Sequence, residues 1–352
     1  MRLKLLPITV VALLSIAIQV FAQNPQAALA SLPEADALIY VSPQRILNEA
    51  APRVVDPAEL TKMRSTFADL KKSAGIEPSS VEYIVIAVRF NKPASDLSFV
   101  APDIMAVIGG DFSSDSLMTL GQLYLQDKVR VEQYGSKSIT LMKIDPIVAE
   151  AEKNPILKPF TELGVVPLSS NSLAFGNLRY LKSAIDAANG NGRISAASLE
   201  SLLRDPNALI SASGAPLASF AKSFGMMGLE NTTRESRCDT SFGNFYAALT
   251  MTGTSFSLRG AMNADNPDTA KIIHGLLSGF MQQGISAVSD KEAQTLLKAL
   301  KLTARESEIV VEADIPDKIV ADMLKSAPKP TTAPAKSSAP ATKRPVRKKR
   351  TR

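Results

Sequence analysis

Ala264-Asp265-Asn266-Pro267-Asp268 and Ala313-Asp314-Ile315-Pro316-Asp317 share the pattern A-D-x-P-D, and each leads into an apolar pair, Ile272-Ile273 and Ile319-Val320. This is the chemistry of a strand turning into a helix. Asp or Asn can accept from the free N–H groups of a first turn, Pro is pre-set for that turn, and an early Asp meets the positive end of the helix dipole. Lys143-Ile144-Asp145-Pro146-Ile147-Val148 is a shorter version of the same corner. A second corner type, a brief apolar strand feeding a helix, occurs at Ala37-Leu38-Ile39-Tyr40-Val41-Ser42-Pro43 and at Ser172-Leu173-Ala174-Phe175-Gly176-Asn177-Leu178.

Taken in order, the corners predict a tandem duplication. One half runs from Leu38 to the helix after Pro146, the other from Leu173 to the helix after Pro316. In the first, a helix over Asp56–Gly75 has Asp56 as cap and Pro57 at its first position, with Leu60, Met63, Phe67 and Leu70 on one face. Strands follow at Val81–Phe90 and up to Val107-Ile108, then a helix over Ser114–Gln126 and a strand over Ser138–Ile144. Val81–Phe90 is apolar on both faces apart from Glu82 and Arg89, which predicts a central strand. In the second half, Phe245, Ala247, Leu249 and Met251 alternate with polar or small neighbours, turn at Thr252-Gly253, and continue through Phe256, Leu258, Gly260 and Met262 as a hairpin.

The expected fold is therefore α+β: two tandem β-α-β-β-α-β (ferredoxin-like) units with mostly antiparallel sheets and helices packed on them. The expected organisation is a signal peptide at 1–22, an N-terminal linker at 23–33 and the first unit at 34–154. A linker at 155–164, the second unit at 165–325 and a tail at 326–352 complete it.

The two ends set the compartment and the charge. Arg2 and Lys4 precede an apolar run from Leu5 to Val20, and Val20-Phe21-Ala22 fits a cleavage site before Gln23, the plan of a secretory signal peptide. The expected location is periplasmic or secreted. The run is too short and punctuated for a spanning helix, and with Cys238 as the one cysteine neither a lipid-anchored N-terminus nor an internal disulfide is available. From Lys325 to Arg352 there are ten basic residues, no acidic one, and Pro328, Pro330, Pro334, Pro340 and Pro345. Such a composition predicts a disordered tail. Subtracting those ten from the formal +6 leaves −4, and removing Arg2 and Lys4 leaves −6 for the body. The basic character belongs to the tail, so nucleic acid is not an expected partner. Any polyanion would be met by Lys343, Arg344, Arg347, Lys348, Lys349, Arg350 and Arg352.

A search for chemistry yields no catalytic, metal or cofactor residue. His274 is the only histidine, and it lies in an apolar helical stretch, where a partly exposed helix position accounts for it. Ser219-Phe220-Ala221-Lys222 matches S-x-x-K, yet the S-D-N and K-T-G partners of that chemistry are missing. Asn263, Asp265, Asn266 and Asp268 have the composition of a calcium loop without its glycine and closing glutamate, so helix capping explains them. Val107-Ile108-Gly109-Gly110-Asp111 lacks the third glycine of a dinucleotide loop and the Gly-Lys-Ser/Thr of a phosphate loop. There, Gly109 and Gly110 read as a turn from strand to helix. Arg234–Asp239 is a charged loop holding the lone thiol, Cys238.

The stretch Pro267–Gly284 is apolar nearly all round, which predicts burial on two sides. Either it packs between the halves or it forms a homodimer interface.

The signal peptide, the Ser31-Leu32-Pro33-Glu34-Ala35-Asp36-Ala37-Leu38-Ile39-Tyr40-Val41 start, the repeated corners and the Lys/Pro/Ala tail together resemble uncharacterised exported proteins of acidobacterial type. That resemblance spans most of the chain and implies a compartment, with no role for any residue. The function expected is that of a non-enzymatic envelope protein, binding or scaffolding, whose basic tail contacts anionic envelope polymers or a membrane surface. The alternative is a secreted hydrolase with an unrecognised site at Asp111–Asp115 or Arg234–Asp239.

Overall fold

The computed structural model describes residues 29–74, 77–91, 101–125, 129–144, 161–214, 242–287 and 291–326. The expected signal peptide, the helix after Pro146, the Ser219–Lys222 and Arg234–Asp239 segments and the basic cluster at 343–352 lie outside these residues.

Among the described residues, twelve strands form one sheet, in the order β11-β12-β10-β9-β8-β1-β2-β3-β7-β6-β5-β4. They are β1 (Ala37–Val41), β2 (Val81–Arg89), β3 (Asp103–Gly110), β4 (Val129–Tyr134), β5 (Lys137–Lys143), β6 (Glu162–Ser169), β7 (Ser172–Gly176), β8 (Ile210–Gly214), β9 (Phe242–Thr252), β10 (Ser255–Ala264), β11 (Lys301–Arg305) and β12 (Glu308–Pro316). Every ladder is antiparallel. The helices are α1 (Pro43–Arg45), α2 (Ala51–Val54), α3 (Pro57–Ala74), α4 (Ser114–Leu125), α5 (Leu178–Ala188), α6 (Ala196–Leu202), α7 (Pro267–Ala287), α8 (Lys291–Ala299) and α9 (Asp317–Ser326), with a π turn over Ile46–Ala50 between α1 and α2.

The two expected ferredoxin-like units do not form. β1 pairs on one side with β2, Ile39 opposite Ile86, and on the other with β8, Ile39 opposite Ala212. A strand edge presents unpaired N–H and C=O groups that must find partners, and β8 supplies them, sealing the two halves of the chain into one sheet. The second correction concerns which strands correspond. Outward from the β1–β8 seam the order reads β1-β2-β3 then β5-β4 on one side, and β8-β9-β10 then β12-β11 on the other. The β6–β7 hairpin is inserted between β3 and β5. The position matching β1 is thus held by β8, not by the Leu173 strand.

The core changes sides at the seam. Side chains alternate across a sheet, so Leu38, paired to Ala87 and Ser213, points opposite to Ile39. On the Leu38 face, Tyr83, Val85, Ala87, Met105 and Val107 pack beneath Tyr180, Leu181 and Ile185 of α5. On the Ile39 face, Phe256, Ala313 and Ile315 pack with Ala50, Val54, Leu296, Ile319 and Val320. On that same face Met262 and Ile309 pack with Ala270 and Ile273 of α7. The opposite face of β9, β10 and β12 keeps polar residues outward, among them exposed Arg259 and Asp314, as the alternation in these strands predicts.

Two arginines tie distant segments together. Arg53, at the end of α2, donates from Nε to Asp317 Oδ2 at 2.9 Å and from Nη2 to Asp317 Oδ1 at 2.8 Å. The same Nη2 reaches the Gly253 carbonyl at 2.8 Å, and the guanidinium lies 5.3 Å from the Phe256 ring centroid. Arg89 sits 4.7 Å from the Tyr180 ring centroid, against the core under α5.

Candidate functional site

Helix α7 is the repeated corner carried to completion. Asn266 caps it, its Oδ1 accepting from Thr269 N at 2.8 Å, with Pro267 opening the first turn. At the sister corner Pro316 ends β12, and Asp317 gives its carboxylate to Arg53 instead of capping. Ala270, Ile273 and Leu277 anchor α7 to Met262, Phe245, Leu302 and Ile309. His274 Nε2 lies 3.2 Å from the Leu302 carbonyl, half-buried. Within the chain the helix packs on the sheet and on α8, and not between two halves.

On its outer side stand Ile272, Leu276 and Phe280, 49%, 48% and 52% exposed. Their four-residue spacing stacks them into a single ridge along the helix. Gly275 and Gly279 run beside it, and beyond the helix's own backbone nothing lies within 4 Å of where a Cβ would stand at either, so the ridge rises above a shallow trough. In the first turn of α7, exposed Asp268 and Lys271 form an ion pair at 3.2 Å. α7 packs against α8 and α8 against α9, making one helical layer. Leu324, in the last turn of α9, is 51% exposed, and the chain continues from Ser326 into the basic tail.

A cluster of charges around one buried carboxylate was not anticipated from the sequence. Asp103 opens β3 and is 1% exposed. Its Oδ2 accepts from Arg89 Nε and Nη2 at 3.3 and 3.0 Å. Its Oδ1 accepts from Arg179 Nε and Nη2 at 3.1 and 2.9 Å and from Asn177 Nδ2 at 2.6 Å. Burial opposes the charged form, but the hydrogen bonds from Arg179, Arg89 and Asn177 outweigh it and hold the carboxyl below its ordinary value. Asn177 Oδ1 is left buried, without a partner among the described residues. The signal was present: Arg89 ends an apolar strand and Asp103 begins the next. The cluster locks the start of α5 to the β2–β3 ladder, and its carboxylate is fully engaged in doing so.

The remaining candidates are used structurally. Gly109 and Gly110 close β3, and they are required for close approach, since a Cβ on Gly109 would strike the Tyr83 ring and one on Gly110 the Ser80 carbonyl. Tyr83 itself is pushed up to about 12, first by burial and then by the Glu82 charge. Asp115 borders an open depression of about 370 Å³ with Met118, Thr119, Gln122, Lys137 and Ser138, where it is the one carboxylate. A second depression, about 250 Å³, lies between α3 and Pro78 and is lined by Leu47, Met63, Phe67 and Lys71. Among the described residues no group of three or more His, Cys, Asp or Glu side chains is placed to hold a metal ion. None of the described helices is long and apolar enough to cross a membrane.

No protein-family model and no curated protein matches the chain. Among solved structures, crystal form III of TP0453 aligns over 85% of this chain and 97% of its own, at 9% identity and a TM-score of 0.42. Crystal form I of the same protein covers 85% and 96%, at 10% identity and a TM-score of 0.41. Likeness at that level carries no argument about function.

Proposed function

We propose that the chain is a non-enzymatic exported envelope protein, with a binding or scaffolding role, whose basic tail contacts anionic envelope polymers or a membrane surface. The observation that carries this reading is the division of charge: a body of formal charge −6 continued by a tail with ten basic and no acidic residues. An acidic body repels a polyanion, so attraction has to come from the tail, and it weakens as salt shortens the screening length.

The disposition of polar groups in the body supports it. Asp103 is neutralised by two arginines, Asp317 by Arg53, and His274 faces a backbone carbonyl. Co-sedimentation with anionic envelope preparations, comparing the whole chain with one ending at Ser326, tests the reading. The whole chain is expected to bind at low salt and release at high salt, and the shortened one to bind far more weakly at low salt. Equal binding by both would remove the tail from the account.

A further inference from the structure

We propose that the outer surface of the α7–α9 layer docks on an anionic lipid bilayer, Ile272, Leu276 and Phe280 entering the headgroup boundary while the tail meets lipid phosphates. This rests on the reading of the tail given above and adds the surface with which the body makes contact. Three observations converge on a bilayer. The ridge presents large apolar side chains, about half exposed, on a helix already committed to the core by its other side. The charged pair in the ridge's own first turn, Asp268 and Lys271, is of opposite sign, so the attraction that overcomes the acidic body has to come from the tail. The tail leaves the same helical layer at Ser326, after exposed Leu324, and its 26 residues extend at most about 3.5 Å each, roughly 90 Å in all, ample to reach phosphates around the ridge.

A bilayer fits these features better than a second copy of the chain. Two crossed ridges of three side chains each offer a single helix crossing, whereas a stable dimer needs roughly 1,200–2,000 Å² of buried surface. A lipid surface sets no such threshold. Stable membrane attachment typically needs two signals, either alone being marginal and reversible, and an apolar ridge with a polybasic segment is such a pair.

Flotation with vesicles tests the proposal on the chain from Gln23 to Arg352. Vesicles of phosphatidylcholine with phosphatidylglycerol are compared with pure phosphatidylcholine. The variants are a Leu276→Gln, Phe280→Ser pair, a chain ending at Ser326, and the two changes combined. The altered side chains are exposed, so thermal melting of the pair is expected to match the parent. The parent should float with anionic vesicles only. Each single alteration should weaken flotation roughly tenfold, consistent with the loss of one of two signals, and the combination should abolish it. Parent-like flotation of the ridge variant overturns the docking surface and leaves the tail reading standing. Undiminished flotation of the shortened chain overturns the tail reading itself. A dimer in sedimentation equilibrium that the ridge variant abolishes would assign the ridge to a second copy and overturn the proposal.

Discussion

Arg53 and Asp317, 264 residues apart in the chain, form a two-point ion pair at 2.8 and 2.9 Å. Each side chain retains little more than a fifth of its exposure, and the pair joins α2, which follows the first strand, to the corner that opens the last helix. Replacing Arg53 by Ala strands the Asp317 carboxylate and frees the carbonyl of Gly253. A loss of about 1–3 kcal/mol in urea unfolding is expected. Arg53→Lys should recover less than half of it, because an ammonium cannot match the fork geometry. Full recovery by Lys would show that charge alone matters there.

Acid should weaken the fold through Asp103. Its folded pKa lies below the ordinary value of 3.8, so the stability it contributes is fully present above that value and is lost as pH falls through the depressed folded one. Unfolding measured between about pH 5 and pH 2 should show stability falling with pH in the parent, and a shallower fall in Asp103→Asn. The same substitution should lower neutral-pH stability by about 1–3 kcal/mol, because Arg179 reaches water and Arg89 partly does. An unchanged acid limb in the variant would remove Asp103 from this role.

The glycines divide into two classes with opposite signs. Gly110→Ala forces a Cβ against the backbone carbonyl of Ser80, and Gly109→Ala drives one into the Tyr83 ring. Both should destabilise by about 1–3 kcal/mol, Gly110 more, since a backbone yields less than a ring. Gly275→Ala and Gly279→Ala meet open space in a helix interior and should stabilise by about 0.5–1 kcal/mol each. Thermal melting of the four variants checks the division.

Much of the local structure is legible in the residues, and the reason it fails globally can be traced to β8. The Asp56 cap, whose Oδ1 accepts from Ala58 N at 2.8 Å, the central strand β2 and the β9–β10 hairpin are all encoded within a few residues of themselves. β8 reads Ile210-Ser211-Ala212-Ser213-Gly214, a short alternation in which the serines, not the apolar residues, take the buried side. Its buried hydroxyls are satisfied only by tertiary partners, Ser211 donating to the Leu202 carbonyl at 2.7 Å. Its pairing with β1 joins residues far apart in the chain, which no local pattern announces. Without it the halves look like separate units, and the Leu173 strand is taken as the second beginning. β11 is missed for a different reason, being a largely exposed edge strand of mixed polarity. At the ridge, composition predicts that Pro267–Gly284 is buried on two sides. The fold places Ile272, Leu276 and Phe280 of that stretch on its exposed side.

The most direct measurement uses the absence of tryptophan from the chain. Phe280→Trp places a single reporter on the ridge at a side chain already half exposed, so the free protein should emit at the red end typical of a wet indole. On adding phosphatidylcholine–phosphatidylglycerol vesicles, the account predicts a blue shift and quenching by bilayer-embedded bromolipids, both shifted to roughly tenfold higher lipid when the chain ends at Ser326, and both reduced as the salt is raised. An emission that stays red while flotation shows the protein bound would contradict it, leaving the tail as the contact and the ridge exposed to water.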